Sequence, residues 1–392
     1  MQNLDATLSR VLDDLAQTGR RRCLRVVEHL SGGRVLKDGR ELLNFSSNDY
    51  LGLTHHPLLI ERAREWAAKY GAGSGASRLV TGHNRALEAV EEKIAAAKGV
   101  EAAVVMASGW QCNASVLPAL LDRTVWGAEP LVFADRLNHA SLHMGCQSAG
   151  VKQTRFRHND LTHLKELLDR TGRGEGPRFI VTESVFSMDG DAPDVDQLVA
   201  IAEEWDAFLY LDEAHATGVL GSNGFGLSVG THVDLAMGTF SKAMGGFGAY
   251  VAGSQALKDF LVNRASGLIY ATALPPAVLG AMDAAIDLVP TLTNHRARLQ
   301  AMAQRLRLRL NDAGLDTGHS TTQIVPVILG DEDRTLKVAA RLEELGFLGI
   351  AIRPPTVPPG SSRIRFALSA GHAEEDVERL ADAIITAAGT IA

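Results

Sequence analysis

At 392 residues the chain is too long for one small core, and length alone calls for two or more lobes with ample buried volume. Hydrophobic residues at 46%, charged residues at 22% and a formal net charge of -7 describe a folded globular chain rather than a disordered or fibrous one. A mildly acidic surface repels phosphate backbones, which argues against nucleic acid. Any anionic ligand must therefore be met by a local cluster of Arg, His or backbone amides.

Cys23, Cys112 and Cys146 are odd in number, widely spaced and without a CxxC pair. They argue against a disulfide framework and a zinc site, and they suit a reducing cytoplasm. Asp5, Asp13 and Asp14 interrupt the N-terminal apolar residues, and no apolar run approaches the roughly 20 residues of a membrane span. Neither a signal peptide nor a transmembrane helix is expected.

Leu4, Leu8, Val11, Leu12 and Leu15 recur at helical spacing, so the chain opens with an amphipathic helix ending near Gly19. Arg20, Arg21, Arg22 and Arg25 follow as a basic cluster, whose ordinary reading is a solvated helix end. From about residue 58, helical stretches such as 87–97 alternate with β-rich runs: AVVMA, PLVFAD, RFIVTES and AFLYLDE. This alternation predicts an α/β fold with a mostly parallel sheet covered on both faces. Ligands of such sheets sit beyond the carboxyl ends of the strands, which draws attention to the polar residues after each run. Beyond Pro290 come an Arg-rich helix over 295–312, a strand IVPVILG, a helix over 336–345, a strand RIRFAL and a last helix from Glu374. The chain thus divides into a helix and arm (1–45), a large domain (46–289) and a small C-terminal α+β domain (290–392). The bend RPPTVPPG at 353–360 interrupts the last part as a rigid non-helical turn.

Lys242 lies in TFSKAMGG, directly after the apolar run DLAMGTF. Alone it reads as a surface lysine beside a flexible turn. Asp212 alters that, because it ends the strand LYLD and emerges at the same sheet edge. A carboxylate there can pair with a protonated pyridine nitrogen, as pyridoxal 5′-phosphate (PLP) chemistry requires. His215, three residues on, and His139, in DRLNHAS, supply imidazoles at strand ends; either alone is more often structural. In SGWQCNAS a glycine turn leads into a helix, so the amides of Gly109 and Trp110 can meet a phosphate with the helix dipole behind them. Thr239 and Ser241 add hydroxyls from the opposite side. GAGSGAS at 71–77 reads as a flexible loop lining the site.

The set NFSSNDYLGL, SGW, NHAS, ESVFSMDGD, DEAHATG, TFSK and RPPTVPPG, in this order and spacing, resembles the α-oxoamine synthases, PLP enzymes of aminotransferase fold type I. The resemblance spans nearly the whole chain. It implies that Lys242 is the Schiff-base lysine and catalytic base, that Asp212 pairs with the pyridine nitrogen, and that His139 stacks on the cofactor. It further implies that Ser187 and His215 bond the phenolic oxygen, that Gly109, Trp110 and Thr239 hold the phosphate, and that Glu183 and Asn48 line the site. By the same resemblance Arg365, in RIRF, receives the substrate carboxylate and Thr356 contacts substrate. An N-terminal arginine adds another contact, with alignment favouring Arg22 and leaving Arg20 and Arg21 open. Thr272 is implied to reach the cofactor phosphate of the neighbouring subunit in a homodimer.

Within the family the nearest pattern implies L-alanine and a pimeloyl thioester, on CoA or on an acyl carrier protein, as substrates. SRLVTG after Gly75 departs from that pattern on the acyl side of the pocket, and Trp110 stands where a smaller aromatic is common. The nearest rival activity joins glycine to acetyl-CoA. A rival of another class is a non-catalytic PLP-binding homologue. A nicotinamide-dependent dehydrogenase is set aside, because no GxGxxG follows the first strand. No metal is expected.

Overall fold

The computed structural model describes residues 3–391 except 173 and 175. The N-terminal periodicity forms the expected helix, Leu4–Gln17. Its apolar stripe is not covered among the described residues: Leu4, Leu8, Val11, Leu12 and Leu15 are all exposed, and no residue of the helix is buried. Irregular chain over 20–27 then enters an antiparallel set of strands, Glu28–Leu30, Arg34–Lys37 and Arg40–Asn44. The distant two-residue strand Phe347–Leu348 pairs with the last of these in parallel.

The main sheet has seven strands in the order Ala102–Met106, Ala249–Gly253, Leu235–Thr239, Ala207–Asp212, Arg178–Glu183, Leu131–Asp135, Gln153–Phe156. Six point the same way, and Ala249–Gly253 runs antiparallel to both its neighbours. Helices cover both faces, so strands such as Ala102–Met106 and Arg178–Glu183 are buried at every residue. Such strands read as continuous apolar runs instead of alternating ones.

Local signals place the helices on this sheet. In Arg85–Lys98 the Asn84 side chain accepts from the Leu87 amide, and Gly99, at φ +69°, ends the helix in the left-handed conformation. Leu87, Val90 and Ile94 fall on one face and are 0–1% exposed. Burying each contributes about 1.5–3 kcal/mol.

A third sheet, three-stranded and antiparallel, orders Ile324–Gly330, Ser362–Ala367, Ile350–Ile352. The helices Thr293–Asp312, Glu332–Glu344 and Glu374–Thr390 belong to the same part of the chain and share one core with its strands through Leu299, Leu306, Val338, Ile364, Phe366 and Leu380. This small sheet meets the carboxyl edge of the main sheet at Gly190. Gly190 has φ +69°, and a Cβ there would lie 2.0 Å from the Ile324 carbonyl oxygen. Its own carbonyl accepts from the Thr321 and Thr322 amides at 3.0 and 3.1 Å. Arg363 adds an ion pair to Asp189 at 2.5 Å. Among the described residues no helix is long and apolar enough to cross a membrane.

Candidate active site

Sheet register assembles the first pair of acids. Glu183 lies opposite Asp212 on adjacent parallel strands, and Asp212 lies opposite Met237 on the next. Both carboxylates are 3% exposed. Asp212 is held on both oxygens: Oδ1 accepts from the Ala214 amide at 2.9 Å, and Oδ2 accepts from Asn113 Nδ2 at 2.8 Å. Burial first, and then the neighbouring Asp212 charge, push the Glu183 carboxyl well above the usual carboxylate range.

Beyond Met237 the strand ends at Thr239, whose hydroxyl donates to the Gly248 carbonyl at 2.8 Å and meets Ser241 Oγ at 2.7 Å. The chain then turns tightly, with the Gly245 amide donating to the Lys242 carbonyl at 2.9 Å. Gly245 has φ +65°, and a Cβ there would lie 2.5 Å from the backbone carbon of Leu53. The lysine turn is thereby pressed against the loop that carries Asn48 and Tyr50. Burial pulls the Lys242 ammonium down to about 8, although Asp212 and Glu183 pull the other way. The neutral amine is therefore a more accessible form near physiological pH than it is for an ordinary lysine.

The two histidines flank this centre. His215 Nδ1 lies 2.7 Å from the Tyr50 hydroxyl, and its backbone carbonyl accepts from Gln323 Nε2. Burial, followed by the Lys242 and Arg365 charges, holds the His215 imidazolium well below its ordinary value. His139 begins the helix Ala140–Ser148, and its amide donates to Glu183. Its ring meets Trp110 edge-on at 6.2 Å. Trp110 and Gly109 open the helix Gly109–Leu120, in which Ser108 Oγ caps the Gln111 amide at 3.2 Å and the Ser108 carbonyl takes the Cys112 amide. The Gly109 and Trp110 amides have no acceptor among the described residues, so this helix start is open to an anion.

Arg365 comes from the small sheet and is 7% exposed. It donates to the Ser187 carbonyl, to Asn48 Oδ1 at 3.1 Å and to the Tyr50 hydroxyl at 3.1 Å. A guanidinium held by neutral partners keeps its charge for a carboxylate. The donor set fits PLP: an amine of lowered basicity for the aldehyde, a fixed carboxylate for the pyridine nitrogen, an imidazole beside them and open helix amides for the phosphate.

The structure thus gathers Lys242, Asp212, Glu183, His139, His215, Arg365, Asn48 and Ser187, with Gly109, Trp110, Thr239 and Ser241 at the margin. Thr239 sits at the end of its strand, with its hydroxyl 2.8 Å from the Gly248 carbonyl and 2.7 Å from Ser241 Oγ. Arg22 is not brought in: it is exposed in the irregular arm and makes no hydrogen bond or ion pair among the described residues. Thr356 and Thr272 are also exposed, Thr356 in the proline bend and Thr272 paired with Ser77. Sequence reasoning passes over Tyr50, Asn113, Ser141 and Tyr210. Asn113 follows Gly109 by four residues, one helical turn, and that spacing is the signal that points it into the site.

The family model for aminotransferases of class I and II matches residues 40–384. A Paramagnetospirillum magneticum protein provisionally named 8-amino-7-oxononanoate synthase is 66% identical over 387 residues, covering 99% of each chain. The 8-amino-7-oxononanoate synthase of Gluconacetobacter diazotrophicus is 58% identical over 391 residues, 99% of this chain and 98% of its own. Among solved structures, a serine palmitoyltransferase of S. paucimobilis with bound PLP and myriocin superposes with a TM-score of 0.91 at 26% identity, covering 100% of this chain and 99% of that one. The 8-amino-7-oxononanoate synthase of Francisella tularensis superposes with a TM-score of 0.76 at 25% identity, covering 88% and 97%. With a matching model over most of its length and near-complete relatives at such identity, the chain belongs to the aminotransferase class I and II family.

Proposed function

We propose that this chain is a PLP-dependent acyltransferase that condenses L-alanine with a pimeloyl thioester, giving 8-amino-7-oxononanoate, carbon dioxide and free thiol in biotin biosynthesis. The observation that carries the reading is the 58% identity, over 99% of the chain, to an enzyme of that name. The buried Asp212 and the half-buried Lys242, with His139 beside them, argue against a silent PLP-binding relative, because charges held away from water cost stability unless used.

When bound, PLP supplies an electron sink for negative charge at the amino-acid Cα. Lys242 would anchor it covalently, Asp212 would pair with its ring nitrogen, His139 would stack on the ring, and the Gly109 and Trp110 amides with Thr239 and Ser241 would hold its phosphate. His215 and Ser187 would bond its phenolic oxygen. Arg365 takes the alanine carboxylate, with Asn48 and Tyr50 holding the guanidinium. Lys242 Nζ, at a pKa of about 8, is poised to accept the Cα proton. The new carbon–carbon bond joins Cα to the thioester carbonyl as the carbon–sulfur bond breaks and the thiol leaves. The carboxylate then departs as carbon dioxide, and a proton returns to Cα.

Arg22 and Thr356 belong to this proposal as substrate contacts made on binding, and Thr272 as a contact to the partner's phosphate in a homodimer. The acyl donor is carried by CoA or by a carrier protein. The test is a product profile: PLP-loaded protein is offered L-alanine with pimeloyl-CoA and, separately, glycine with acetyl-CoA. Formation of 8-amino-7-oxononanoate by mass spectrometry is expected. A preference for glycine with acetyl-CoA would overturn the substrate assignment while leaving the cofactor chemistry intact.

A further inference from the structure

Behind the cofactor residues lies a buried polar chain that the mechanism above does not use. Tyr210, Asn113 and Ser141 are each at most 1% exposed. The Tyr210 hydroxyl lies 2.7 Å from Asn113 Oδ1, while Asn113 Nδ2 faces Asp212 Oδ2 at 2.8 Å and Ser141 Oγ at 2.9 Å. Ser141 Oγ in turn lies 2.7 Å from His139 Nδ1, and the Ser141 amide points at the same nitrogen from 3.3 Å.

The directions of these bonds are forced. A carboxylate only accepts, so the Asn113 amide must turn its nitrogen to Asp212 and its oxygen to Tyr210. The second N–H of that nitrogen then goes to Ser141, which spends one of its oxygen lone pairs. The single hydroxyl proton of Ser141 is left to donate, and the acceptor in reach is His139 Nδ1. Two donors therefore converge on one ring nitrogen.

We propose that Tyr210, Asn113 and Ser141 form a one-way hydrogen-bond relay that holds His139 as the neutral imidazole with its proton on Nε2. The same Asn113 nitrogen clamps Asp212, so one side chain sets both the carboxylate that would pair with the cofactor's ring nitrogen and the tautomer of the imidazole that would stack on the ring. Protonating Nδ1 would turn the Ser141 hydroxyl into an acceptor from two sides, with no other acceptor in reach for its own proton. The charges that act on the ring are Asp212, Lys242 and His143; the relay fixes the ring state by geometry in spite of the Asp212 charge. These three are positioning residues. Their bearing on catalysis rests on the function proposed above, whereas the ring state itself does not.

The relay is tested on the protein without cofactor, labelled with 15N-histidine, by long-range proton–nitrogen correlation near pH 7. The His139 signals are assigned by their loss in His139→Gln. The expected result is a pyridine-type Nδ1 and a pyrrole-type Nε2. Ser141→Ala is expected to move both nitrogens toward the average of the two tautomers, and Ser141→Thr, which keeps the hydroxyl, to restore the wild-type pattern. Asn113→Ala is expected to act as Ser141→Ala does; should it fail to fold, the two Ser141 variants decide the matter. A pyrrole-type Nδ1 in the wild type, or an unchanged pattern in folded Ser141→Ala, would overturn the proposal. Failure to bind PLP would instead count against the function and leave this result standing.

Discussion

Lys242 carries its chemistry in an environment that lowers its basicity, with burial outweighing the attraction of Asp212 and Glu183. The neutral amine is the form that attacks an aldehyde. Capture of PLP by the cofactor-free protein should therefore quicken as pH rises through about 8 and level off above it, which stopped-flow absorbance measures. A rate that stays flat from pH 7 to 9 would count against a shifted lysine. Lys242→Ala should cut condensation by about 10²–10⁴-fold, the usual worth of a positioned proton acceptor, with the product assay as readout. Lys242, Asp212, His139 and His215 were legible because strand ends announce themselves by apolar runs that stop at polar residues. Tyr50 and Ser141 carry no such mark. Their significance comes from a loop and a helix face that only tertiary folding brings to His215 and His139.

At the scale of elements, the five apolar strands of the main sheet were readable, and two were passed over for different reasons. Gln153–Phe156 is a polar edge strand in which only Phe156 is buried, so no apolar run marks it. Ala249–Gly253 follows a glycine-rich turn and reads as its continuation. The N-terminal helix was readable from its spacing, but its apolar stripe gave no sign that it would stay exposed among the described residues. One cross-connection between strand ends was invisible to any local pattern. His158 bridges Asp135 at 3.0 Å and Asp191 at 2.9 Å, tying the end of one strand to the turn after the next. Burial opposes charge on this ring, yet the hydrogen bonds and charges of the two aspartates prevail and lift it to about 10, against an ordinary value of 6.5. The folded-state value is the higher one, so this stabilisation is complete below pH 6.5 and drains away as pH climbs toward 10. His158→Gln should lower stability by about 3 kcal/mol near pH 6 and flatten the fall of the melting temperature between pH 6.5 and 10. An unaltered pH dependence in that variant would contradict the assignment.

At the scale of the whole molecule, the site is shared between two sheets that the change of sequence texture after Pro290 assigns to different parts of the chain, with nothing in either part to show how they dock. Arg365 comes from the small sheet, and every other charged member of the site comes from the large one. Gly190 makes the joint, because its left-handed backbone lets the turn after strand Arg178–Glu183 touch the Ile324 carbonyl. Gly190→Ala should displace the small sheet and with it Arg365. Steady-state kinetics should show the KM for alanine rising about tenfold, or roughly 1.4 kcal/mol, with a smaller change in PLP affinity. Equal losses in both would mean general unfolding rather than a displaced arginine.

The most direct measurement of the central claim is borohydride reduction of the PLP-loaded protein followed by peptide mass mapping. A phosphopyridoxyl group on the peptide that contains Lys242, absent from Lys242→Ala, is the result expected. A protein that takes up no PLP, or one whose adduct maps to another lysine, would contradict it.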